Sequence, residues 1–108
     1  MSEHLRKHFP LIDFLSSGLT RNQLKAVLKT LSNAQATVLG EIALNVLYGR
    51  LKLSDSVKTK LRKSAPQIEF ISNKENSLTS RKKAITRNFG TIEILLEAVK
   101  PQIIALLE

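Results

Sequence analysis

His4 and His8 stand four residues apart. On a helix of about 3.6 residues per turn, that spacing places both imidazoles on one face, a geometry used to hold metal ions. No third ligand follows nearby, and no Glu completes a metalloprotease pattern. The expectation is therefore two surface histidines in a terminal arm, with no metal. Asp13 and Glu41 are isolated carboxylates in apolar surroundings. Each has the chemistry of a general acid or base, but the ordinary role is a cap, an ion-pair partner or an exposed side chain. The glycines at 18, 40, 49 and 90 are too dispersed to cradle a phosphate, and the absence of cysteine removes disulfides, thiolate zinc sites and thiol nucleophiles. The chain is expected to be no enzyme and to need no cofactor.

Cations are the residues with a distinctive arrangement. Between Arg50 and Arg87 there are eleven Lys and Arg against Asp55, Glu69 and Glu75, an excess of eight that equals the net charge of the whole chain. The flanking segments balance, with six of each sign. One cluster is Arg50, Lys52, Lys58, Lys60, Arg62 and Lys63; the other is Arg81, Lys82, Lys83 and Arg87. Brought onto one side of the molecule, these side chains would attract a polyanion and release condensed counterions from it, so binding would fall steeply with salt. Phosphate contacts of this kind position a duplex without reading its sequence. Hydroxyls near helix starts, at Ser54, Ser77, Thr79 and Ser80, mark backbone amides that could join such contacts. The competing reading is a charged, solvated helix surface.

A helix-turn-helix could be drawn over residues 20–49 or 54–87. The first has no basic residues on its second helix, and the second lacks a tight turn. No set of Asn, Gln and Arg is arranged for base edges, so weak sequence preference is expected.

Apolar residues at steps of three and four supply the elements that carry these groups. Phe9, Ile12, Phe14 and Leu15 form a short patch after which Gly18 breaks the pattern. Thr20 caps a helix holding Leu24, Val27, Leu28 and Leu31. Ser32 or Asn33 caps the next, in which Val38, Leu39, Ile42, Ala43, Val46 and Leu47 cover so much of the circumference that it reads as central. There Gly40 permits close packing and Gly49 ends the helix. Ser54 opens a basic helix with Val57 and Leu61 inward. Pro66 starts a short one with Ile68, Phe70 and Ile71. After a polar loop over residues 72–77, Ser77 or Thr79 caps a second basic helix, with Leu78, Ile85 and Phe89 inward and its cations mostly outward; Gly90 is expected to end it. A last helix from near Thr91 carries Ile92, Leu95, Leu96, Val99, Ile103, Leu106 and Leu107, with Pro101 expected to kink or split it. Ile94 and Ile104 fall off its main apolar face, a signal for a dimer or partner surface.

The sum is an all-α fold, a compact orthogonal bundle of six or seven short helices, in one domain over residues 1–108 with 1–8 as an arm. Its core is aliphatic, since the chain has four Phe, one Tyr and no Trp. No apolar run approaches the roughly 18 residues of a membrane span, and the first residues lack a signal peptide's apolar stretch, so no membrane partner is expected.

The segment from Glu41 onward contains E-I-A-L-N-V-L-Y-G-R-L-K-L-S, K-T-K-L-R-K, S-L-T-S-R-K-K-A-I, F-G-T-I-E-I-L-L and P-Q-I-I-A-L-L. It resembles a family of small basic proteins encoded by Maverick/Polinton elements and adintoviruses, over about the last two-thirds of the chain. The matching positions are Ala43-Leu44-Asn45, Gly49, Leu53-Ser54, Lys60-Leu61-Arg62-Lys63 and Arg81-Lys82-Lys83. Where that family shows Gly-Gly, this chain has Phe89-Gly90, so the protease site suggested by the pair is not carried over. The resemblance implies a virion or transposable-element protein with a core or condensing role similar to that of adenovirus core proteins, located in the virion and host nucleus. The function expected is non-enzymatic association with nucleic acid, DNA first, through the cations named above. The alternative is a capsid-associated or regulatory interaction module with a viral protein or a second copy as its partner.

Overall fold

Four helix starts among the described residues are set by side-chain hydroxyls. Thr20 Oγ1 accepts from the Gln23 amide at 3.1 Å, and Gln23 Oε1 accepts from the Thr20 amide at 2.9 Å. Ser32 and Gln35 repeat the arrangement at 3.1 and 2.9 Å. Each pair satisfies backbone donors that a helix start leaves free. Ser54 Oγ accepts from Val57 N at 3.3 Å, and Ser77 Oγ from Ser80 N at 3.1 Å. At the other end, Gly18 and Gly49 turn the chain at φ +90° and +64°, where an L side chain would be strained.

The computed structural model describes residues 7–49 and 53–107, with side chains as far as Pro101. Among these residues there are seven helices and no strand: α1 (Phe9–Leu15), α2 (Arg21–Leu28), α3 (Asn33–Leu47), α4 (Asp55–Lys63), α5 (Ala65–Ser72), α6 (Leu78–Arg87) and α7 (Phe89–Leu107). His4, Arg50, Lys52, most of the 1–8 arm and the side chain of Ile104 lie outside what is described.

The chain is an all-α bundle. Helix α3 packs against α5, α6 and α7, and buries Ala36, Val38, Leu39, Gly40, Ile42, Ala43 and Val46. Helix α7 shares the central role: it packs against α1, α2, α3, α4 and α6, with Ile92, Leu95, Leu96, Ala98 and Val99 buried. The core is wholly aliphatic.

One helix boundary departs from the sequence-based expectation. Gly90 does not end α6. Asn88 does so, donating from its amide and from Nδ2 to the Ala84 carbonyl at 3.0 and 2.9 Å, while its own carbonyl accepts from Thr91 and Ile92 at 2.9 and 3.2 Å. One residue thus closes α6 and opens α7, and no left-handed glycine is needed. Pro101 lies within α7, which runs through it unsplit; proline has no amide N–H to bond the Glu97 carbonyl. Phe14 and Phe70, the aromatic residues of two of the short apolar runs, are 50% and 39% exposed. The inward faces of their helices are set by Ile12 with Leu15 and by Ile68 with Ile71, and a residue next to the second of each pair points elsewhere.

Candidate nucleic-acid interface

Val57 and Leu61 pin α4 to the core and leave its cations on two flanks. Lys58 and Arg62, one turn apart, border a shallow groove of about 240 Å³ with Val46, Leu47, Leu53, Leu61, Ala65 and Ile68. Lys60 lies on the other flank, where its Nζ is 3.6 Å from Glu97 Oε2 of α7. Lys63 is exposed. Lys60, Arg62 and Lys63 also sit in the last turn, where positive charge complements the free carbonyls of the helix end.

On α6, Ile85 is fully buried and Leu78 half-buried, which orients the helix. Its four cations do not share one environment. Lys83 and Arg87 are exposed, one turn apart, and both border a groove of about 460 Å³ between α5 and α6. Pro66, Gln67 and Phe70 form its α5 wall; Ser80, Ala84 and Asn88 complete the α6 side. No carboxylate lines this groove among the described residues. Lys82 is half-buried. Arg81 departs furthest from an outward position: its Nε is buried without a hydrogen-bond partner, and its Nη1 lies over the backbone of Gly40. The absence of a side chain at Gly40 makes room for the guanidinium there.

Helix α4 packs principally on α7, and α6 on α2, α3, α5 and α7, so the two basic helices are not each other's packing partners. They converge at one place. Lys60 and Arg87 border a common groove of about 600 Å³, together with Arg21, Ser64, Asn88, Glu93 and Glu97. Carboxylates interrupt the positive charge here: besides the Lys60–Glu97 pair, Arg21 Nε is 3.9 Å from Glu93 Oε1. Arg87 borders both this mixed groove and the carboxylate-free one. Among the described residues, Lys58, Arg62, Lys63, Lys82, Lys83 and Arg87 have no carboxylate within ion-pair distance.

Of the groups singled out for other chemistry, Asp13 pairs with Lys100 at 3.5 Å. Glu41 is half-buried, and its backbone carbonyl accepts from Asn45 Nδ2 at 2.8 Å. His8 is half-buried, and no group of three or more His, Asp or Glu suited to a metal occurs among the described residues. No described helix is long and apolar enough to cross a membrane.

Phe70 and Gln67 were not anticipated as part of any surface site. The signal was available: Ile68 and Ile71 set the buried face of α5, and Phe70 falls off it. No protein-family model, curated protein or solved structure matches this chain.

Proposed function

We propose that this protein binds the phosphate backbone of nucleic acid, without catalysis, through Lys83 and Arg87 of α6 with Lys58 and Arg62 of α4 as a supporting flank. The observation that carries the reading is the α5–α6 groove, where two exposed cations meet no carboxylate. Lys58–Arg62 and Lys83–Arg87 are each like charges four apart on a helix, an arrangement that costs an isolated helix about 0.2–0.5 kcal/mol per pair. A polyanion relieves that repulsion. The resemblance to Maverick/Polinton and adintovirus proteins would put such binding in a virion core or transposable-element particle, in the host nucleus, with DNA as the nucleic acid.

The test is fluorescence anisotropy of a labelled DNA duplex titrated with protein at several salt concentrations. Binding should weaken linearly on a log–log plot, equally for unrelated sequences, with a slope smaller by about one for each true phosphate contact removed by Lys58→Ala, Arg62→Ala, Lys83→Ala or Arg87→Ala. No binding at low salt refutes the reading.

A second reading, a protein-interaction module with a capsid protein or a second copy as its partner, is favoured by a different feature. Helices α1, α2 and α7 border a groove of about 700 Å³ lined by Leu15, Leu19, Leu24, Leu96 and Pro101 and edged by Glu93, Glu97 and Lys100. Concentration-dependent mass by light scattering, abolished by Leu19→Glu, would support it.

A further inference from the structure

We infer that the groove between α5 and α6 accommodates an unpaired nucleobase stacked on Phe70, so that the protein prefers single-stranded to duplex nucleic acid. The inference rests on the polyanion reading and adds to it the part of the ligand that is not phosphate.

Phosphate binding needs only cations, yet this groove also presents an aromatic ring. Phe70 is 39% exposed beside Pro66 and Ala84, while Lys83 and Arg87 supply positive charge from the facing helix. An aromatic face beside cations is how proteins hold single strands, since every base has a face to stack and every nucleotide a phosphate to neutralise. Stacking also needs a platform that stays in place. Phe70 is in the last turn of α5, and its carbonyl accepts from Asn76 Nδ2 at 3.1 Å, which ties the following loop to that helix end. At about 460 Å³ the groove falls within the range of roughly 300–1,000 Å³ in which ligand sites occur. A duplex cannot use the ring, because its bases are already stacked on one another.

The chain has no tryptophan, so Phe70→Trp introduces a single indole probe at the platform. Oligothymidylate should quench that indole, whereas an abasic oligomer of the same length and a polyglutamate of the same charge should leave it unchanged. In the same full chain, Phe70→Leu should weaken oligothymidylate binding by about tenfold, within the range of about five- to hundredfold set by base stacking on an aromatic side chain, and leave duplex binding within twofold of wild type. Equal quenching by the abasic oligomer or the polyglutamate, or equal loss on single strand and duplex, overturns the base site while leaving phosphate binding intact. Absence of binding to strand and duplex alike at low salt overturns both.

Discussion

A Cβ built on Gly40 would lie 3.4 Å from Arg81 Nη1 and 3.2 Å from the Ile71 carbonyl oxygen, so the bare backbone of α3 is what lets α5 approach and the guanidinium of α6 lie across it. Three helices meet at this position, and one of the cations that the sequence offers to a ligand is held there. Alanine at 40 meets contacts only a few tenths of an ångström too tight and gains up to about 1 kcal/mol of helix propensity, so Gly40→Ala should change stability by no more than about 1 kcal/mol. Gly40→Leu has no room and should lose about 3 kcal/mol or more, in the range of severe core overpacking. Urea denaturation followed by circular dichroism measures both; a Leu variant as stable as wild type would contradict the packing described.

Arg81→Met tests whether that guanidinium works for the fold or for a ligand. Its Nε makes no hydrogen bond, and an unmet buried donor costs about 1–3 kcal/mol. Methionine keeps the apolar stem without the donor, so the melting temperature should be unchanged or higher. DNA affinity should fall much less than for Lys83→Ala. A loss equal to that of Lys83→Ala would mean that Arg81 swings out to the ligand.

Lys83→Glu separates stability from binding. It converts a like-charge pair with Arg87 into an attractive one, Glu four residues before Arg, worth about 0.2–0.5 kcal/mol on an exposed helix. The variant should therefore melt slightly higher than wild type and bind DNA more weakly than Lys83→Ala. Parallel thermal melts and anisotropy titrations would show the two quantities moving in opposite directions; a fall in both would remove the case for a functional origin of the repulsion.

Glu97→Gln should strengthen DNA binding by a few-fold at low salt. It removes a carboxylate from the groove shared by Lys60 and Arg87 and frees Lys60 from its 3.6 Å partner. Both members of that ion pair are about half-exposed, so stability should change by less than about 1 kcal/mol. Lys60→Ala in the wild-type background should weaken binding less than Lys83→Ala, and in the Glu97→Gln background it should weaken it more than it does in wild type. Additivity of the two changes would deny that Glu97 masks Lys60.

Ser32→Ala should destabilise the fold by about 1 kcal/mol, a shift in melting temperature of about 4–8 °C for a domain of this size. The Ser32–Gln35 capping box starts the helix that packs on α5, α6 and α7. A calorimetric scan showing no shift would indicate that water replaces the cap at no loss.

Local signals carried most of the secondary structure. Thr20 and Ser54 are legible as caps, and Ser32 and Ser77 each as one of two neighbouring candidates, because the competition between a hydroxyl and the backbone is settled within one turn. The Gln residues that complete two of the caps stand three positions on, at 23 and 35, a spacing equally open to reading. The sequence points to Gly90 as the helix stop because glycine is the commoner one, whereas here one asparagine donates twice to the Ala84 carbonyl of one helix and starts the next.

What the chain determines by itself is an aliphatic helical bundle and a middle third rich in cations, because periodicity, caps and charge are properties of neighbours along the chain. Which cations are free to meet a ligand was decided only by packing. Arg81 and Lys83 are two residues apart, yet one lies over Gly40 and the other borders an open groove with Phe70. Lys60 and Lys58 are as close, yet one faces Glu97 and the other does not. A helix turns neighbouring side chains to different sides, and the charge each side chain then meets belongs to residues distant in sequence.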